Sequence, residues 1–141
     1  MKRNFILGAC FLLLMSVSGY VTFHTARAVT AKAARSYSGY LVCQSCAGAS
    51  RGEAADGTRV PEHPELHTVA CLRKPFCIAS GYGIFIRGRD GKYVYYKLDQ
   101  KGSALAYQNI VSKTVRADHL RVEVIGSLQN RIIVTENVIE K

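Results

Sequence analysis

Four cysteines fall between positions 43 and 77, and they constrain this chain more than any other feature. Cys43-Gln44-Ser45-Cys46 opens the stretch, and His63-Pro64-Glu65-Leu66-His67, Cys71 and Cys77 answer it. A chain of 141 residues supports one domain with a modest core. A domain that small gains from fastening a long connection through its side chains. A crosslink closing a loop of about 15 residues contributes about 3 kcal/mol by constraining the unfolded chain.

Residues 1–28 read as an export signal. Lys2 and Arg3 form a positive start, Phe5 to Val21 is apolar, and Ala26-Arg27-Ala28 places small residues where a signal peptidase cuts. Cleavage after Ala28 delivers the chain to the periplasm or the medium. Left uncut, Phe5 to Phe23 is just long enough to anchor the chain in the inner membrane, and only then is a membrane a partner. Leu7-Gly8-Ala9-Cys10 has the look of a lipoprotein box, but the strongest apolar run follows Cys10 and does not precede it. The net charge is +9, and the chain stays basic without its first segment. On an exported protein this reads as a solvated surface with weak attraction for polyanions. An anionic ligand or an exported protein partner fits it better than nucleic acid, which such a protein seldom meets. Outside the cytoplasm thiols tend to oxidise.

Residues 29–35 are a short basic leader, and the domain proper spans 36–141. Ser36 to Val42 is the first strand, and Gly39 marks a bend in it. Residues 47–62 hold no apolar period and read as a loop. Pro64 suits the first turn of a helix, so one short helix is expected from Pro64 to Leu72. Its turns would set His63, His67 and Cys71 along one side. Pro75 then ends or kinks it. Gly81-Tyr82-Gly83 is a turn, Ile84 to Gly88 a strand, and Asp90-Gly91 a hairpin signal before the strand Lys92 to Leu98. Ser103 to Ser112 has helical spacing. His119 to Leu128 and Arg131 to Ile139 form a second hairpin. The fold class is therefore mainly β: a five-stranded meander matching the OB-fold barrel. One short helix lies between strands 3 and 4, and a Cys-rich insertion lies between strands 1 and 2.

In these residues the chain resembles a group of small secreted bacterial OB-fold proteins of poorly known function. Gly39-Tyr40-Leu41-Val42 with Cys46, then His67, Cys71, Cys77 and Gly81, follow the group's opening and middle. Asp90-Gly91-Lys92-Tyr93-Val94-Tyr95 and Val122-Glu123-Val124-Ile125-Gly126 follow its two hairpins. Cys43 stands where the group carries an acidic residue, and the gap from Cys71 to Cys77 is longer than the group's. The resemblance implies the fold and says little about function.

Three chemistries suit the cluster. Four thiols in an oxidising compartment allow two disulfides, so the first expectation is a disulfide-stapled binding module without a cofactor. The alternative is a tetrahedral Zn²⁺ or Cu⁺ site on Cys43, Cys46, His67 and Cys71, with His63 or Cys77 as a spare ligand. Thiol–disulfide exchange at Cys43-x2-Cys46 is the third, although Ala47-Gly48-Ala49-Ser50 is a poor helix start beside it. A second candidate surface lies on the first hairpin. Alternation puts Phe85, Arg87, Tyr93, Tyr95 and Lys97 on one face, the kind of aromatic and cationic surface on which such barrels hold single strands, and which a carbohydrate or peptide can also use. No nucleophile–base pair stands out, and catalysis is not expected.

Overall fold

The computed structural model describes residues 33–48 and 53–141. The export signal or anchor assigned to 1–28 lies outside the described residues, as do residues 29–32 of the leader. No described helix is long and apolar enough to cross a membrane.

Five strands make one mixed sheet that closes on itself: β1 (Arg35–Cys43), β2 (Tyr82–Arg87), β3 (Tyr93–Leu98), β4 (Arg121–Gln129) and β5 (Ile132–Glu140). The spatial order is β1-β2-β3-β5-β4, and β4 returns to pair with β1. A plain meander would set β4 beside β3. Here β5 takes that place, running parallel to β3 through Lys97–Ile132 and Leu98–Ile133. The helix after β3 makes this possible, because a parallel neighbour needs a crossover connection. That helix, α4 (Gln100–Ala106), starts earlier than its apolar spacing suggests. Asp99 caps it by accepting the Gly102 N–H at 2.8 Å, and the chain runs on into a π turn, Tyr107–Val111.

The strands form where alternation predicts them. Leu41, Ile84, Leu98, Val122, Val124 and Ile133 are each at most 1% exposed and line the inside of the ring. Each contributes roughly 1.5–3 kcal/mol on burial. β2 begins at Tyr82, so Tyr82 and Gly83 belong to the strand and not to a turn. The turn residue is Gly81, at φ 79°. Gly83 faces the outside of the sheet, and a Cβ there would collide with the Tyr95 ring. Gly83→Val is therefore expected to destabilise the fold by about 1–3 kcal/mol through forced repacking. The shift in urea midpoint measures it.

The segment between β1 and β2 is a series of short turns: α1 (Gln44–Ala47), a 3₁₀ turn (Pro64–Leu66), α2 (Val69–Leu72) and α3 (Pro75–Ser80). The single helix expected over 64–72 is broken. His67 is extended (φ −66°, ψ 124°), and Thr68 caps a new start, its hydroxyl accepting the Cys71 N–H at 3.2 Å. Pro75 begins α3 and does not end a helix, in keeping with the freedom of a first turn to lack an N–H.

Backbone polar groups of the segment are tied to the residue before β2 and to the stretch that leads into β4. Gln44 N–H donates to Gly81 (2.9 Å), Val69 N–H to Ala117 (2.8 Å), and His119 N–H to Glu65 (2.7 Å). The Tyr82 hydroxyl donates to the Leu72 carbonyl at 2.9 Å, and the Arg73 guanidinium to the Val111 and Thr114 carbonyls. The segment is thus pinned by hydrogen bonds as well as by whatever its sulfurs do.

Candidate metal centre

The fold brings the four cysteines together from four elements. Cys43 ends β1, Cys46 sits in α1, Cys71 in α2 and Cys77 in α3. All four are at most 3% exposed and all are free thiols. Their sulfurs are close but unbonded. Cys46 Sγ lies 3.8 Å from both Cys71 Sγ and Cys77 Sγ, and Cys77 Sγ lies 2.7 Å from Cys43 Sγ. A disulfide needs about 2.05 Å, so no S–S bond is made among the described residues.

His67 joins them, and His63 does not. His67 is 1% exposed. His63 is on the surface, its Nδ1 3.1 Å from the Glu65 carboxylate. The donor atoms fall into two triangles that share Cys46: Cys43, Cys46 and Cys77, and Cys46, His67 and Cys71. Within each, the atoms lie within 4.8 Å of one another. The expected four, Cys43, Cys46, His67 and Cys71, do not form a single group: Cys43 falls with Cys46 and Cys77, and His63 belongs to neither triangle.

One residue of the site is not visible in the sequence pattern. Asp56 sits in the loop before the 3₁₀ turn, its carboxylate Oδ2 3.0 Å from His67 Nδ1. That pair is close enough in distance but poorly aligned, so neither nitrogen of the buried ring has a true hydrogen-bond partner. Buried polar atoms are rarely left so, and each one calls for an explanation. A metal ion on one nitrogen, with the other turned onto Asp56, is a recurrent arrangement of ligand histidines. Asp56 is itself held rigidly. Oδ2 accepts from the Thr68 N–H and the Thr68 hydroxyl, both at 2.8 Å, and Oδ1 from the Thr58 N–H at 3.1 Å. The contact to Thr58, two residues on, is an ordinary Asx turn. The reach to Thr68 is tertiary and leaves no mark in the sequence.

Burial alone would raise the Asp56 carboxyl. The two Thr68 donors and the Thr58 amide outweigh it and hold the group at about 2. Since its unfolded value is about 3.9, Asp56 stabilises the fold above that pH, and the contribution disappears as pH falls from about 4 toward 2. The urea midpoint of the metal-free, reduced protein should drop across that window, and Asp56→Asn should flatten this part of the profile.

The thiols differ among themselves. The Cys43 thiol is drawn well down by the hydrogen bond from Cys46, which burial opposes, with help from His67, Cys77 and Ser45. Cys46 is pushed up by its bond to Cys43 and then by burial. Burial is the first cause of the rise at Cys71 and Cys77. Without a cation to compensate them, four buried thiolates are prohibitively costly, so the cluster keeps most of its protons. One turn of helix does begin beside Cys43, which stands at its N-cap, although the sequence there looked a poor start.

The hairpin face is assembled as alternation requires, with Phe85 opposite Tyr95 and Arg87 opposite Tyr93. Packing takes up part of it. Phe85 is 4% exposed, its ring centroid 5.3 Å from that of Tyr95, whose hydroxyl is buried without a partner. Arg87 and Lys97 are exposed and Tyr93 half-buried. Arg87 and Tyr93 line a groove of about 210 Å³ with Tyr40 and Arg121. A larger cleft, about 500 Å³, opens between α3 and α4, walled by Gln44, Ser80, Lys97, Gln100, Ser103 and Tyr107. It adjoins the residues that follow Cys43 and Cys77.

Compared with protein-family models, curated proteins and solved structures, the chain has no match.

Proposed function

We propose that this protein is a small metal-binding module that takes one Zn²⁺ or Cu⁺ ion on Cys46, Cys71 and His67. A further thiol of the cluster completes the shell. One observation carries the reading. A tetrahedral ion with metal–sulfur bonds of about 2.3 Å sets its sulfurs about 3.8 Å apart. That is the separation Cys46 keeps from both Cys71 and Cys77. The buried, unpaired imidazole of His67 supports it from a second direction. Thiolate and imidazole together favour Zn²⁺ and Cu⁺ over harder cations. The donors are buried, so the ion suits a structural or storage role more than a catalytic one, which needs an open position. On this reading the ion fastens α1, α2 and α3 to the end of β1.

The wider proposal is an OB-fold, since the order β1-β2-β3-β5-β4, closed on β1 with a helix after β3, is that fold's arrangement. It also places the protein outside the cytoplasm, on the strength of the N-terminal segment with Ala26-Arg27-Ala28. A disulfide-bonded or thiol-exchanging form is the second reading, favoured by the 2.7 Å approach of Cys43 and Cys77.

The test is metal linkage. Zn²⁺ or Cu⁺ added to the reduced protein should raise its unfolding free energy by about 4 kcal/mol once free ion exceeds Kd a thousandfold. The effect should saturate at one ion per chain, and a chelator should reverse it. His67→Ala should remove the shift. An unfolding curve indifferent to both ions would refute the reading.

A further inference from the structure

Cys77 has two partners and can serve only one at a time. Its sulfur lies 3.8 Å from Cys46, a separation suited to sharing an ion, and 2.7 Å from Cys43. The second approach is tighter than two unbonded sulfurs prefer. A shift of less than about 1 Å brings that pair to bonding distance. Cys46 and Cys71 stand 3.8 Å apart and would have to move more than twice as far. They also share a triangle with His67, to which neither Cys43 nor Cys77 belongs, and Cys77 reaches it through its 3.8 Å separation from Cys46. A sulfur committed to a disulfide is no longer a thiolate, and the thiolate is what binds the ion.

We propose that Cys77 is a redox-controlled ligand. While Cys43 and Cys77 are reduced, Cys77 fills the ion's fourth place. When they join as a disulfide it withdraws, and the ion stays on Cys46, Cys71 and His67 with one position open. The inference rests on the metal reading above. In the oxidising step Cys77 leaves the ion as a thiolate, Cys43 gives up its one proton, and the pair gives up two electrons as the Cys43–Cys77 bond forms. A small disulfide accepts the proton and the two electrons, its S–S bond breaking to give one thiol and one thiolate. A polar path leads inward from the cleft beside α3. Ser80 lines that cleft, its hydroxyl 3.2 Å from the Ser45 hydroxyl, which in turn lies 3.4 Å from Cys43 Sγ. The effect would be to turn a closed site into one that can exchange its ion or accept an outside ligand.

The experiment uses the full chain, loaded with Zn²⁺ and treated either with a reductant or with glutathione disulfide. Peptide mapping locates any S–S bond, and competition with a chelator measures affinity. Oxidation is expected to join Cys43 to Cys77, to retain one Zn²⁺ per chain, and to weaken binding by tenfold or more. Cys77→Ser should show the weak affinity under both conditions. Cys43→Ser, which removes the sulfur nearest Cys77, should show the strong affinity under both. These two variants exchange one buried atom each and separate the roles of neighbouring sulfurs. A Cys46–Cys71 bond, loss of the ion on oxidation, or equal affinities in the two states would overturn the proposal. No Zn²⁺ on the reduced chain would instead overturn the metal reading beneath it.

Discussion

Replacing Cys46 with alanine is expected to remove stoichiometric metal binding, the largest effect of any single substitution at the site. Cys46 alone belongs to both donor triangles, and its sulfur lies 3.8 Å from two of the other three. Without it neither triangle is complete, and the proposed ion loses the one sulfur common to both. Affinity should fall by more than about 100-fold, the upper end of what changes outside the ligand shell cost. The fold should survive in metal-free form, because the lost sulfur leaves only a small cavity in a segment held by backbone hydrogen bonds. Competition titration measures the first effect and denaturation of the metal-free protein the second. His63→Ala is the control: exposed and paired with Glu65, it should change neither.

Asp56→Ala should be the most damaging change away from the sulfurs. It strips the acceptor from the Thr68 amide, the Thr68 hydroxyl and the Thr58 amide at once, and leaves His67 without its neighbouring charge. Hydrogen bonds to a charged group are worth about 1.5–3 kcal/mol, and buried donors left unmatched cost further. A loss of about 3 kcal/mol in the metal-free protein is expected, along with a 10- to 100-fold loss in metal affinity. Asp56→Asn separates the two effects. Its amide oxygen can keep part of the Thr68 network, so stability should recover more than metal affinity does. Parallel recovery of both would mean that Asp56 only holds the loop.

The strands were legible because a half-buried strand repeats every second residue, and Leu41, Ile84, Val122, Val124 and Ile133 keep that period. The neighbour of β3 was not. Nothing in Lys97-Leu98 or Ile132-Ile133 announces that they pair, since parallel pairing depends on how α4 crosses the ring. The meeting of the cysteines could be read from their number and spacing. The arrangement within the meeting could not, because Thr68 breaks the expected helix and turns His67 into an extended position. Alternation also identified the common face of Phe85, Arg87, Tyr93, Tyr95 and Lys97 without revealing which members packing would take. Asp56 was invisible for a related reason: an aspartate before glycine signals a turn, and that signal hides a contact twelve residues away.

The most direct measurement is X-ray absorption at the zinc edge of the reduced, Zn²⁺-loaded chain. It counts the atoms around the ion and gives their distances. The account predicts sulfur neighbours at about 2.3 Å and one nitrogen at about 2.0–2.1 Å, the nitrogen disappearing in His67→Ala. A shell made wholly of oxygen and nitrogen would place the ion elsewhere on the protein and contradict it.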